Sequence, residues 1–93
     1  MSDSDLDKKF HEASEFIKTW KPKKESSNDE KLCLYANFKQ ATVGDCNTTC
    51  PGMFDWTGRQ KWNAWNNMKG KSAEQAKQDY INEVERQKTV LEN

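Results

Sequence analysis

Four residues at helical spacing set the first chemical question. Tyr35, Phe38, Lys39 and Thr42 fall at i, i+3, i+4 and i+7, one face of a helix. A lysine within a ring-bearing stripe is unusual for pure core, because buried lysine is rare unless paired. Lys39 therefore either snorkels to the rim or faces an anionic ligand. Lys61 stands beside Trp62 near the start of a later helix, where free backbone N–H groups also favour anions. Cations interleaved with rings suit a ligand carrying both a phosphate and a flat base. A basic solvated face over an aromatic core is the competing reading of the same residues.

Catalytic chemistry finds less support. His11 is the single histidine, and no G-x-S-x-G or comparable nucleophile setting is present. Cys46-x3-Cys50 has fewer than the four ligands that a structural zinc requires, even with Cys33 and His11 counted. Asp45 and Asp55 read as turn or cap residues rather than as an acid/base pair. No glycine-rich phosphate loop occurs. The site residues are thus expected to bind rather than to catalyse, with no metal and no cofactor.

The charge distribution agrees. Fifteen Lys+Arg balance fifteen Asp+Glu in 93 residues, so bulk attraction to nucleic acid is not expected. Residues 32–71, however, hold Lys39, Arg59, Lys61, Lys69 and Lys71 against only Asp45 and Asp55, a local charge of +3. The same segment holds six of the ten aromatic residues. Aliphatic residues are scarce, so the core must be built largely from rings. No run approaches the ~18 apolar residues of a membrane span, and stable membrane insertion is not expected. Met1–Asp5 lacks a basic start followed by an apolar run, and three cysteines are an odd number. Reduced thiols and a cytoplasmic location are the corresponding expectations.

Four segments position these residues. Leu6, Phe10, Ala13, Ile17 and Trp20 form one stripe after a start signal at Ser4-x-x-Asp7, and Pro22 ends it. Ser27-x-x-Glu30 is a capping box for a second helix that stops at Gly44. Thr57-x-x-Gln60 predicts the start of a third, with Trp62, Trp65 and Met68, closed by Gly70. Ser72-x-x-Gln75 opens a fourth, on which Ala73, Ala76, Tyr80, Val84 and Leu91 share a face. No segment has a period of two, so the fold class is all-α, one domain over residues 1–93. The short Lys69-Gly70-Lys71 link makes helices three and four antiparallel. The fourteen residues from Gly44 to Thr57 reach ~46 Å when extended at about 3.3 Å each. A fifteen-residue helix is only ~22 Å long, so helices two and three are free to run parallel. With Pro51, Gly52, Met53, Phe54 and Trp56 in it, this long loop is expected to pack down on the body.

The run Tyr35-x-x-Phe38-Lys39-Gln40-Ala41-Thr42-Val43-Gly44-Asp45-x-Asn47, then Pro51-Gly52-Met53-Phe54-Asp55 and Lys61-Trp62-x-Ala64-Trp65, closely resembles the acyl-CoA-binding protein family. Asp79-Tyr80-Ile81-x-x-Val84 continues the resemblance into the last helix. It implies a four-helix up-down-down-up bundle and a non-catalytic, monomeric carrier of long-chain fatty acyl-CoA. Residue by residue, it implies that Tyr35 meets the adenine end and that Lys39 and Lys61 meet the ribose 3′-phosphate and neighbouring phosphates. Tyr80 becomes a further nucleotide contact, Phe38 a ring beside it, and Lys18 another contact from helix one. Phe10, Leu32 and Leu34 are the expected lining of an acyl groove. Three departures stand out: Phe38 where many members have Tyr, Cys50 where a basic residue is common, and a longer 21–28 linker. A small helical module that binds a partner helix through an aromatic groove is the rival function.

Overall fold

The computed structural model describes residues 5–92. Its helices are α1 (Asp5–Thr19), α2 (Asn28–Thr42), α3 (Trp56–Asn66) and α4 (Ala73–Glu92), and no strand occurs among the described residues. Ser4 lies outside that range, so the expected start signal of α1 does too. Ser27 caps α2 as a full capping box: its Oγ accepts from Glu30 N at 3.1 Å, and Glu30 Oε1 accepts from Ser27 N at 2.7 Å. Gly44, at φ +99°, turns the chain out of α2.

Two sequence expectations about α3 are corrected. Its cap is Asp55, whose carboxylate accepts from Gly58 N at 3.0 Å, so the helix begins one residue before Thr57. A carboxylate two residues before Thr57 takes an orphan donor of the first turn, so the helix starts ahead of the expected hydroxyl cap. The helix also ends at Asn66, and residues 67–70 are turns that reach Gly70 at φ +92°.

Contacts along the helices define the topology. Trp20 Nε1, just past α1, donates to Glu92 at the end of α4, while Asp7 near the start of α1 pairs with Lys77. Helices α1 and α4 are therefore parallel. Glu30 at the start of α2 pairs with Arg86 late in α4, and Asn37 further along meets Lys71 just before α4, so these two are antiparallel. Asn28 bonds Gln60, and Lys39 lies over Trp65, which makes α2 and α3 parallel. The result is up-down-down-up. Helix α1 packs on α4, and α2 packs on both α4 and α3, whereas the α1 and α2 backbones do not approach closely. That gap positions the site.

Helix α4 is the shared surface. Ala76, Tyr80, Val84, Gln87 and Leu91 recur at steps of four, four, three and four and are all buried. Ala76 and, on α2, Ala36 are fully buried and let the helices approach closely. Three buried amides join the interface. Gln87 Nε2 donates to Glu30 O at 3.2 Å and to Glu83 at 2.8 Å. Asn37 Nδ2 donates to Cys33 O, and Gln40 Nε2 donates to Asp45 Oδ1 and Lys71 O, each at 2.8 Å. Such partners offset the removal of these amide N–H groups from water, whereas Gln40 Oε1 is buried without one.

The long loop does not pack down as expected. Met53, Phe54 and Trp56 are 75%, 96% and 66% exposed. The backbone of the loop is nevertheless tied to the body: Trp62 Nε1 donates to Thr48 O at 2.9 Å and Trp65 Nε1 to Gly44 O at 2.8 Å.

Glu83 links fold to pH. Its bond from Arg86 holds the carboxyl below the ordinary 4.5, against the opposing effect of burial and with help from the Gln87 bond. A carboxyl depressed in the folded state contributes stability that is complete above the unfolded value and is lost as pH falls through the folded one. Urea unfolding from about pH 5 downward should show stability falling with acid, and Glu83→Gln should flatten that limb.

Candidate functional site

A groove of about 310 Å³ opens in the gap between α1 and α2. Ile17 of α1, Lys31, Leu34, Tyr35 and Phe38 of α2, and Tyr80 of α4 line it. The four α2 residues stand at i, i+3, i+4 and i+7, so one helical stripe supplies most of the lining. The groove exists because α1 leans on α4 and leaves this stripe uncovered.

Rings make the floor. Phe10 stacks on Phe38 with centroids 5.7 Å apart and planes at 23°, and meets the Tyr80 ring edge-on at 5.2 Å. Phe38 and Tyr80 lie 5.9 Å apart. Such offset and edge geometries are favourable for aromatic quadrupoles. Burial pushes the Tyr80 phenol above its ordinary value, so the ring is a neutral hydroxyl at physiological pH. Phe38 keeps a partly exposed face.

Cations stand beside the rings. Lys61 Nζ lies 5.5 Å from the centre of Tyr35, and Lys39 Nζ lies 4.9 Å from that of Trp65. None of the described ion pairs engages either lysine. Lys39 projects from α2 toward α3, and Lys61 from α3 toward α2. A cation held over a ring face keeps its charge available to a further anion on its open side.

The structure thus gathers Leu34, Tyr35, Phe38 and Tyr80 in one groove and sets Lys39 and Lys61 beside it. Phe10 is buried beneath, in the core cluster with Ala41, Ala76, Tyr80 and Val84, so it supports the floor instead of lining the opening. Leu32 is half-buried on α2 outside the groove lining. Lys18 follows Ile17 but is bonded to Glu15 at 2.8 Å on an exposed surface. Ile17 and Lys31 were not singled out as site residues. Both carried a signal: Ile17 lies seven residues after Phe10 in the α1 stripe, and Lys31 four before Tyr35.

Relatives decide the family. The profile described as "Acyl CoA binding protein" matches residues 7–84. The chain belongs to the acyl-CoA-binding protein family. An acyl-CoA-binding protein homolog of Drosophila melanogaster is 50% identical over 80 residues, covering 86% of this chain and 91% of that one. An acyl-CoA-binding domain-containing protein 6 homolog of Dictyostelium discoideum is 42% identical over 85 residues. The match covers 90% of this chain but only 30% of that longer relative. The crystal structure of Oryza sativa acyl-CoA-binding protein 2 superposes with a TM-score of 0.80 at 44% identity, covering 87% of this chain and 88% of that one. The bundle topology is that of this family.

The cysteines differ in access. Cys33 is half-buried, and burial is the largest influence raising its thiol above the ordinary value, followed by the nearby Glu83 charge. Cys50 is exposed in the loop, and Cys46 is intermediate. Thiolate is the reactive form, so Cys50 should be alkylated first by iodoacetamide at neutral pH and Cys33 last. Peptide mass mapping over time checks this order.

Proposed function

We propose that the protein is one acyl-CoA-binding domain over residues 1–93 that binds long-chain fatty acyl-CoA and carries it without converting it. The observation that carries this reading is the apposition of an aromatic groove to Lys39 and Lys61, which no described ion pair engages. Tyr35, Phe38 and Tyr80 take the adenine end, with Lys31 and Lys18 at its margin. Lys39 and Lys61 take the ribose 3′-phosphate and neighbouring phosphates. Leu34 offers apolar surface to the first part of the acyl chain, while Leu32 stands outside the groove lining. Relatives named for acyl-CoA binding support the same reading.

The energetics divide between head and tail. Charge-assisted hydrogen bonds and stacking orient the nucleotide. Each buried CH₂ of the tail adds about 0.8 kcal/mol, so affinity rises with chain length until the groove is filled. Phe38 contributes ring surface without the hydroxyl that many family members have there. The ligand is the acyl-CoA itself, with no resident cofactor or metal, and the carrier works as a cytoplasmic monomer. No helix of the described residues is long and apolar enough to cross a membrane.

Isothermal titration should show tight binding of long-chain acyl-CoA, weaker binding of free CoA and little of free fatty acid. Equal affinity for a fatty acid and its CoA ester would sink the head-group assignment. Lys39→Ala should weaken acyl-CoA binding about tenfold to a hundredfold, the equivalent of ~1.5–3 kcal/mol for bonds to a charged group. Lys69→Ala, on the exposed turn after α3, should change it far less. Equal losses would mean a diffuse basic patch.

A further inference from the structure

The turn between the long loop and α3 presents its apolar side chains to solvent. Asp55 N donates to Gly52 O at 3.0 Å, closing a four-residue turn with Met53 and Phe54 at its apex. Turn apices favour Gly, Pro, Asn, Asp or Ser, for conformational and hydrogen-bonding reasons. Here the two central residues are large and apolar, Phe54 is almost completely exposed, and Trp56 stands two residues on, also exposed. The turn is held firmly. Arg59 Nη1 donates to Pro51 O at 3.3 Å, and Asp55 is committed to capping α3. A Cβ on Gly58 would fall 2.4 Å from the Asp55 carboxylate, so that glycine makes room for the cap. The sequence and the local geometry thus hold three apolar side chains out on a braced tip.

The bundle places a lysine-rich linker at the same end. Helices α1 and α4 finish where α2 and α3 begin, so the 20–27 linker lies at the end that carries the turn. Lys24 N donates to Leu91 O at 3.0 Å and Lys23 N to Glu92 Oε1 at 3.2 Å, which pins the linker down and leaves Lys21, Lys23 and Lys24 exposed. Of the acids at this end, Glu30 and Glu92 are hydrogen-bonded and Asp55 is the α3 cap. Glu30 is also paired with Arg86, and within the linker itself Glu25 is the one acid beside the three lysines.

We propose that this end of the bundle docks reversibly on an anionic lipid interface, with Met53, Phe54 and Trp56 entering the headgroup layer and Lys21, Lys23 and Lys24 facing lipid phosphates. A convex tip fits a deformable lipid surface, where aromatic residues are favoured at the headgroup level. Three side chains are far too few for a stable interface with a second copy, which needs about 800 Å² from each partner. The basic linker matches the negative potential of an anionic leaflet. The docking rests on the exposed turn and linker alone. Its use, to bring the groove mouth at Ile17 and Lys31 to the source of the acyl chain, rests on the function proposed above.

Flotation with acyl-CoA-free vesicles tests the docking. The full chain should bind phosphatidylcholine vesicles containing about one third phosphatidylserine, and binding should weaken with salt. Met53→Ser with Phe54→Ser should lower the partition coefficient about tenfold or more, with helical circular dichroism unchanged. Replacing Lys21, Lys23 and Lys24 with Gln should remove the preference for anionic over neutral vesicles. Failure of the native chain to float, equal flotation of the Met53/Phe54 variant, or equal binding to neutral vesicles would each overturn the proposal. So would sedimentation showing that the turn drives self-association. Both variants should keep the native affinity for acyl-CoA in vesicle-free titration. Docking without any acyl-CoA binding would refute the proposed function and leave the docking intact.

Discussion

Lys71 is the residue through which the two halves of the bundle are joined. Its ammonium reaches Asn37 Oδ1 on α2 at 2.9 Å and Asp79 Oδ2 on α4 at 2.7 Å, while its carbonyl accepts from Gln40. Asp45 completes the clasp by accepting from both Gln40 Nε2 and Gly70 N, bonds that hold its carboxyl below the ordinary range. The α3–α4 turn is thereby fastened to the far end of α2. A partly buried cation and two buried amides accept little change in geometry, because each lost partner would leave a desolvated polar group. The register of α4 against α2 follows, and with it the height of Tyr80 opposite Tyr35 and Phe38.

The groove is a consequence of that register together with a mismatch in packing. Helix α4 is long enough to carry α1 on one side and α2 on another, and α1 takes the α4 side only. The α2 stripe is left with ring contacts at its base and open space above. Aromatic residues suit this arrangement, since Phe10, Phe38 and Tyr80 can satisfy one another edge to face and still present a flat surface. The lysines beside them stay outside the core because α3 runs parallel to α2, which sets Lys61 level with Tyr35 and Trp65 level with Lys39. Antiparallel helices would have scattered these pairs to opposite ends. The long loop that permits parallel helices therefore also permits these cation–ring pairs, even though its apex touches little of the body.

Much of this was legible residue by residue. The Ser27 and Glu30 capping box and the Gly44 stop read directly, because caps are local properties of the chain; the α4 stripe read in part, since Ala73 is exposed. The loop arithmetic anticipated parallel helices. Tyr35 and Phe38 came from helical spacing, and the family resemblance added Tyr80 from across the bundle. Other features were illegible for definite reasons. Thr57 and Asp55 both had cap chemistry, and only the backbone shows which one intercepts the free N–H groups. Gln87 is polar and has no place in the apolar pattern of α4, yet it is buried, bonded to Glu83 and the Glu30 carbonyl. Met53, Phe54 and Trp56 suggested a packed loop by their hydrophobicity, but hydrophobicity does not say which surface will cover a side chain.

The sequence by itself determined four helices, their order, the aromatic and basic character of the centre, and membership in a family. Each of those is carried by neighbours along the chain or by motifs that keep their spacing. Tertiary structure alone decided that α1 leaves α2 uncovered, that Phe10 supports the groove while Ile17 and Lys31 line it, and that the apolar turn stands exposed. Those outcomes depend on which helix faces compete for the single surface of α4. Residues far apart in sequence settle that competition through packing and shared hydrogen bonds, so no local pattern records its result.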